Sequence, residues 1–236
     1  MHNGKIVMIP NTLGGESIKD ILPQEVIEKA VGIRYFAVEE IKSARRLLRK
    51  MDREFPIDAC TFFTLNKKTP VEELHKMLKV LGEQHDLGII SEAGCPGIAD
   101  PGAELVALAH QRGYDIAPLV GPSSILLALM ASGFSGQTFS FHGYLPKERK
   151  DRIRKLKDFE GDARRNKYTH IFMDTPFRNM HVLDDLLNEL ADNTLLCIAS
   201  NITLPTESVK TMSIKEWREH AYDLGKIPAL FLIGSF

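Results

Sequence analysis

The segment Ser91-Glu92-Ala93-Gly94-Cys95-Pro96-Gly97-Ile98-Ala99-Asp100-Pro101-Gly102 carries three glycines and two prolines in twelve residues. That composition permits a tight, pre-shaped turn whose exposed amides and carbonyls can read an adenosine moiety without charged side chains. The same residues also suit a loop that merely turns the chain from a strand into a helix, and composition leaves both readings open. Cys95 has no basic neighbour in sequence to make it a thiolate, so it reads as a small packed residue rather than a nucleophile. The three cysteines, Cys60, Cys95 and Cys197, lie far apart, without zinc-type spacing, and the histidines form no metal-ligand pattern. Reduced thiols and no metal are expected. The run from Lys147 to Lys155 contains six cations and two acids. It can meet phosphates if its cations share a face, and is otherwise a solvated helix.

Such groups need elements to position them. Short apolar runs at Ile6–Ile9, Leu87–Ile90, Ile116–Val120, Ile171–Met173, Leu195–Ile198 and Leu230–Ile233 read as buried strands. Helical patterns lie between several of them, at Val71–Leu81, Ala103–Gln111, Ser124–Ala131 and Asn179–Leu190, which predicts α/β architecture. Asp100 is placed to cap the helix after Pro101, and Gly113 to stop it. Gly121-Pro122-Ser123-Ser124 puts a hydroxyl at the start of the next helix, and Gly133 ends it. A domain junction is expected near Leu119–Gly121, dividing the chain into residues 1–119 and 120–236.

With 236 residues and 44% hydrophobic content the chain can bury a substantial core. A formal net charge of -1 means that a polyanionic partner must be met by a local patch. The N-terminus has no pattern of a signal peptide, and the longest apolar stretch, Ile125 to Ala131, is too short to span a bilayer. A soluble, cytoplasmic protein without membrane association is the expectation.

The order of several motifs adds a resemblance. Ser91 to Gly102 is similar to the Ser-Asp-Ala-Gly-Thr-Pro-Gly-Ile-Ser-Asp-Pro-Gly pattern of the ribosomal-RNA small-subunit methyltransferase I family, within the tetrapyrrole-methylase superfamily. The likeness continues through Pro118–Ser124, Ala131–Phe134, Phe139–Pro146 and Phe172–Arg178, in the family's order. It implies two α/β domains of the tetrapyrrole-methylase type with S-adenosyl-L-methionine in the interdomain cleft, and a homodimer. The implied activity is 2′-O-methylation of a ribose in ribosomal RNA, with ribosomal RNA or the 30S subunit as partner. A tetrapyrrole C-methyltransferase is the alternative enzyme, and a cofactor-binding regulatory protein without chemistry is the alternative of another class.

The resemblance also assigns residues. Pro10, Thr12 and Leu13 belong to the turn after the first strand, and Gly94, Cys95 and Ile98 touch the cofactor. Ser123, Ser124 and Ile125 approach it from the next helix, Met173 from a later strand, and Asn201, Pro228 and Ala229 on the adenine side. Glu39, Glu40 and Lys42 are catalytic candidates, with His142 a further ionisable neighbour and Arg178 an organiser of the cleft. The chain departs from the family at Pro10-Asn11-Thr12-Leu13-Gly14-Gly15, where the RNA branch has Thr-Pro-Ile-Gly-Asn-Leu. It departs again at Val38-Glu39-Glu40-Ile41-Lys42, where that branch has Ala-Glu-Asp-Thr-Arg, and at His142, where it has an acid.

Overall fold

A computed structural model describes residues 4–15, 17–220 and 222–235. The chain forms two compact units, Met1–Ser123 and Ser124–Phe236. The division falls a few residues after Leu119.

The first unit runs β1 (Ile6–Ile9), α1 (Gln24–Val31), β2 (Tyr35–Val38), α2 (Ile41–Met51), a 3-10 turn (Ile57–Ala59), β3 (Thr61–Thr64), α3 (Val71–Gly82), β4 (Leu87–Ile90), α4 (Ala103–Gln111) and β5 (Ile116–Pro118). Its five strands are all parallel, in the order β3-β2-β4-β1-β5. Both faces of such a sheet must be covered, which is why β4 is buried at every residue. Val7, Ile9 and Phe36 pack with Ile27 and Ala30 of α1 and Ala44, Leu47 and Leu48 of α2. Ile6, Leu87 and Ile89 face the other way, against Leu74 and Leu78 of α3 and Leu105 and Ala109 of α4. α1 and α2 therefore cover one face and α3 and α4 the other.

The second unit runs α5 (Ser124–Ser132), β6 (Phe139–Tyr144), α6 (Arg149–Asn166), β7 (Thr169–Met173), α7 (Asn179–Glu189), β8 (Leu195–Ser200), β9 (Ser208–Ser213), α8 (Ile214–Glu219) and β10 (Ala229–Gly234). Its sheet has the order β6-β7-β10-β8-β9, parallel only between β6 and β7. The core joins Leu156 and Phe159 of α6, Val182, Leu183 and Leu186 of α7, Trp217 of α8 and Phe172 and Phe231 of the sheet. The Trp217 indole N–H donates to Leu196 O at 2.9 Å, so its burial leaves no donor unpaired.

Two local expectations are corrected. Asp100 does not cap α4: the N-cap is Gly102, at φ 132°, without a side-chain cap bond. Pro101 and Gly102 turn the chain once more before the helix begins, so the Asp100 carboxylate stands off its first amides. Gly113 does end α4, at φ 73°, with Gly113 N–H bonded to His110 O and Tyr114 N–H to Ala109 O. The basic run is the second correction. α6 is not a wholly solvated helix, because Arg152, Leu156, Phe159 and Ala163 recur at helical spacing on a buried face. Asp185 of α7 receives Arg149 Nε at 2.8 Å and Arg152 Nε at 2.7 Å, and Arg154 pairs with Asp151 at 3.2 Å.

Candidate active site

In the first unit β1 and β4 are parallel neighbours, and the segments that follow them lead to helices on opposite faces. Open α/β sheets gather ligands at the carboxyl ends of such strands, where the diverging loops leave a crevice. Here the two loops are sewn together. Asn11 N–H donates to Gly94 O at 2.8 Å and Gly94 N–H to Thr12 O at 3.4 Å. The Asn11 amide reaches across to Ser91 O at 3.1 Å and Glu92 O at 2.9 Å, while its oxygen accepts Thr12 N–H at 2.8 Å. The departure at Asn11 thus supplies the clamp that fixes the turn.

The glycine loop bends through left-handed backbone at Gly94 (φ 66°), Gly97 (φ 79°), Ala99 (φ 63°) and Gly102 (φ 132°). At Gly94 a Cβ would stand 3.1 Å from Leu13 Cδ2 and 3.4 Å from Pro122 O, so the loop is drawn close to both neighbours. The Cys95 thiol donates to Pro122 O at 3.4 Å, and burial pushes it above the ordinary thiol range. Pro10, Thr12, Leu13, Gly94 and Cys95 are therefore together, close to the Pro122–Ser123 segment. Ile98 lies on the outside of the loop, 53% exposed.

Carboxylates flank the crevice. Burial first, then the charges of Glu39 and Glu92, push Asp100 up to about 6, against a smaller opposing effect of Lys67. An acid that changes charge near neutrality is a candidate proton acceptor. Sequence reading assigned Asp100 to helix capping and missed this; an acid inside a glycine loop at a strand end was the available signal. Glu39 is exposed at the end of β2. Glu40 accepts Lys42 N–H at 3.0 Å and caps α2, favourable for a carboxylate at a helix N-terminus. The Lys42 side chain is exposed on the first turn of α2.

In the second unit one end of the sheet collects the remaining candidates. Met173 is paired with Leu230, and Ala229 with Ser200. Asn201 takes left-handed backbone at φ 48°, donates N–H to Pro228 O at 3.1 Å, and holds Thr206 Oγ1 with its amide at 3.0 Å. Ser124 and Ile125 open α5. Two buried acceptors at this end, Asp174 Oδ2 and Asn179 Oδ1, have no hydrogen-bond donor among the described residues. Arg178 is 3.2 Å from Asp174 Oδ1 and donates to Pro146 O at 3.1 Å, so it ties the end of β7 to the segment after β6.

His142 stands apart from these groups. Its Nε2 lies 2.9 Å from His170 Nδ1, and its ring stacks on Phe159 at 4.2 Å. His170 Nε2 is in turn 2.9 Å from Asp162 Oδ2, an ion-pair distance whose angle falls outside hydrogen-bond geometry. Burial, then His170 and Lys155, push His142 down to about 4, so this pair is neutral near pH 7. All three cysteines are free, and no group of three or more metal-ligating side chains occurs among the described residues.

These features define an α/β protein of two units whose parallel sheet ends in two loops, one of them glycine-rich, bonded to each other through backbone groups. The chain belongs to the family of Tetrapyrrole (Corrin/Porphyrin) Methylases, whose model matches residues 5–217. Membership makes it a methyltransferase by class, the family that its ordered motifs resemble. It is 29% identical to "Ribosomal RNA small subunit methyltransferase I" of Vibrio cholerae, over 89% of this chain and 69% of that protein. Its identity to the Thermotoga maritima protein of the same name is 28%, over 85% of this chain and 84% of the relative. Among solved structures it resembles the methyltransferase CobJ, with a TM-score of 0.65 at 18% identity, over 98% of this chain and 94% of that one. The cobalt precorrin-4 methyltransferase CbiF gives a TM-score of 0.61 at 17% identity, over the same shares. At these identities the two structures speak for the two-unit α/β fold alone.

Proposed function

We propose that the protein transfers a methyl group from S-adenosyl-L-methionine to a ribose 2′-hydroxyl of ribosomal RNA. The observation that carries this reading is the stitched pair of loops after β1 and β4, in a chain whose similar relatives are named as ribosomal RNA small subunit methyltransferases. The residues suit the cofactor. Gly94 and Gly97 present bare backbone, and Asp174 Oδ2 and Asn179 Oδ1 are buried acceptors able to take donors from an adenine amine or ribose hydroxyls. In the first unit Pro10, Thr12, Leu13, Gly94, Cys95, Ile98 and Ser123 are the proposed contacts; in the second, Ser124, Ile125, Met173, Asn201, Pro228 and Ala229.

The bound cofactor supplies an activated methyl on a sulfonium, and the chain has to present the hydroxyl and remove its proton. Asp100, with Glu39 beside it in charge, takes that proton. Glu40 acts by holding the start of α2, Lys42 by its charge toward RNA, and Arg178 by fixing the end of β7. The apolar side chains Leu126 and Met130, 51% and 79% exposed and one turn apart on α5, support self-association as a homodimer. No helix among the described residues is long and apolar enough to cross a membrane. Action on ribosomes supports a cytoplasmic location.

The test is incubation of the full chain with methyl-labelled cofactor and 30S subunits lacking their own modifications, followed by nucleoside analysis. A labelled 2′-O-methylnucleoside is expected. Label on a uroporphyrinogen-type macrocycle instead would move the substrate to tetrapyrroles, and cofactor binding with no labelled acceptor would leave a regulatory protein.

A further inference from the structure

We infer that the solvent face of α2 is the surface that grips the RNA backbone, with a phosphate seated between Ser43, Arg46 and Lys50. This rests on the RNA reading above and assigns the surface which that reading needs. The helix Ile41–Met51 contains Lys42, Arg45, Arg46, Arg49 and Lys50 and no acid, and Arg53 follows it, in a chain of net charge -1. Ala44, Leu47, Leu48 and Met51 face the core, which at helical spacing turns the helix's five cations onto the opposite, exposed side, with Arg53 exposed just beyond it.

Of this row only Arg49 and Lys50, in the last turn, suit the helix dipole. Lys42 and Arg45 stand at the N-terminal end, where the helix dipole favours anions, and Lys42/Arg46, Arg45/Arg49 and Arg46/Lys50 set like charges one turn apart. None of the six pairs with a carboxylate among the described residues; Arg45 lies over the Phe62 ring at 5.3 Å, and Arg49 bonds the Arg53 carbonyl. α6 is the contrast. Half of its eight cations, Arg149, Arg152, Arg154 and Lys157, are bound to carboxylates.

The position of the row fits an RNA track. Ser43, Arg46 and Lys50 line a cavity of about 150 Å³ together with Asn11 and Thr12 of the clamped turn after β1, and Glu92. Two cations and a hydroxyl there suit a phosphate, against the single opposing carboxylate of Glu92. A backbone phosphate in this cavity lies beside the crevice at the ends of β1 and β4, and the remaining cations of α2 follow the strand outward.

The experiment measures binding of unmodified 16S ribosomal RNA across a salt series, alongside S-adenosylhomocysteine affinity, in the full chain. Arg46→Ala/Lys50→Ala should weaken RNA binding by about tenfold or more and reduce the salt slope by about 0.7, for the one phosphate the two cations hold. Cofactor affinity and the melting temperature should stay as in the wild type. Lys147→Ala/Lys150→Ala, before and in the first turn of α6, should bind RNA as the wild type does. If the α2 variant binds normally while the wild type binds and methylates RNA, this surface assignment alone is overturned, as it is if only the α6 variant loses binding. If the wild type neither binds nor methylates ribosomal RNA, the proposed function fails, and this inference with it.

Discussion

Gly94 is where a single added methyl group tests the crevice. Its φ of 66° is left-handed, which costs an L-residue roughly 1–2 kcal/mol. For Gly94→Ala that strain is the main effect, since the nearest atom, Leu13 Cδ2 at 3.1 Å from the new Cβ, ends a flexible side chain. At about 2–4 °C per kcal/mol for a chain of this size, the melting temperature should fall about 2–8 °C. Gly94→Val adds two γ-carbons and pushes the loop away from Asn11 and Thr12, forfeiting two hydrogen bonds of about 0.5–1.5 kcal/mol each. The total is then about 2–5 kcal/mol, or about 4–20 °C.

The matching control is Gly113→Ala. Its φ of 73° carries the same backbone strain, nothing lies within 4 Å of its Cβ, and it sits at the far end of α4. Calorimetric titration with S-adenosylhomocysteine should show about tenfold or greater loss for Gly94→Val, some 1.4 kcal/mol, and wild-type affinity for Gly113→Ala. Both alanine variants should lose similar stability. Wild-type affinity in Gly94→Val, with its stability reduced, would show that the loop does not hold the cofactor.

Two further outcomes follow from buried or half-buried charge. Asp100 is raised from 3.8 to about 6, so between those values the folded protein holds a proton that the unfolded chain has released, and this residue's contribution to stability falls as pH rises through that window. Asp100→Asn should therefore raise the melting temperature above pH 6 and leave it unchanged below pH 3.8, while removing the rise in methyl transfer expected near pH 6; an unaltered pH–rate profile would exclude the residue as proton acceptor. Asp185 and Arg152 are 5% and 7% exposed, and Asp185→Ala strands a buried guanidinium at a cost of about 3–5 kcal/mol, or about 6–20 °C. A loss under about 1 kcal/mol in denaturant unfolding would mean that the carbonyls of Pro146 and Lys147, at 3.2 and 3.0 Å from Arg152 Nη1, suffice to hold it.

What the sequence disclosed follows from where each element is buried. β1, β4, β8 and β10 are covered on both faces, so they read as continuous apolar runs and their positions were legible. β9, Ser208–Ser213, lies at a sheet edge with half-polar residues and carries no comparable signal, whereas β2 is as short and as apolar as β1 and β4 and was overlooked without a physical reason. The glycine loop was legible as a site candidate because its composition dictates backbone geometry within twelve residues. The clamp was not, since Asn11 bonds residues eighty positions away, and only the adjacency of β1 and β4 brings those carbonyls within its reach. Charge was least legible. Lys147–Lys155 and Lys42–Arg53 look alike as basic runs, yet Asp185 and Glu189, on a helix more than thirty residues away, take up Arg149 and Arg152 of the first, and no carboxylate among the described residues pairs with the second. A basic run becomes a polyanion surface only when the fold withholds its counter-charges, so the partners that a helix lacks decide its function as much as the residues it displays.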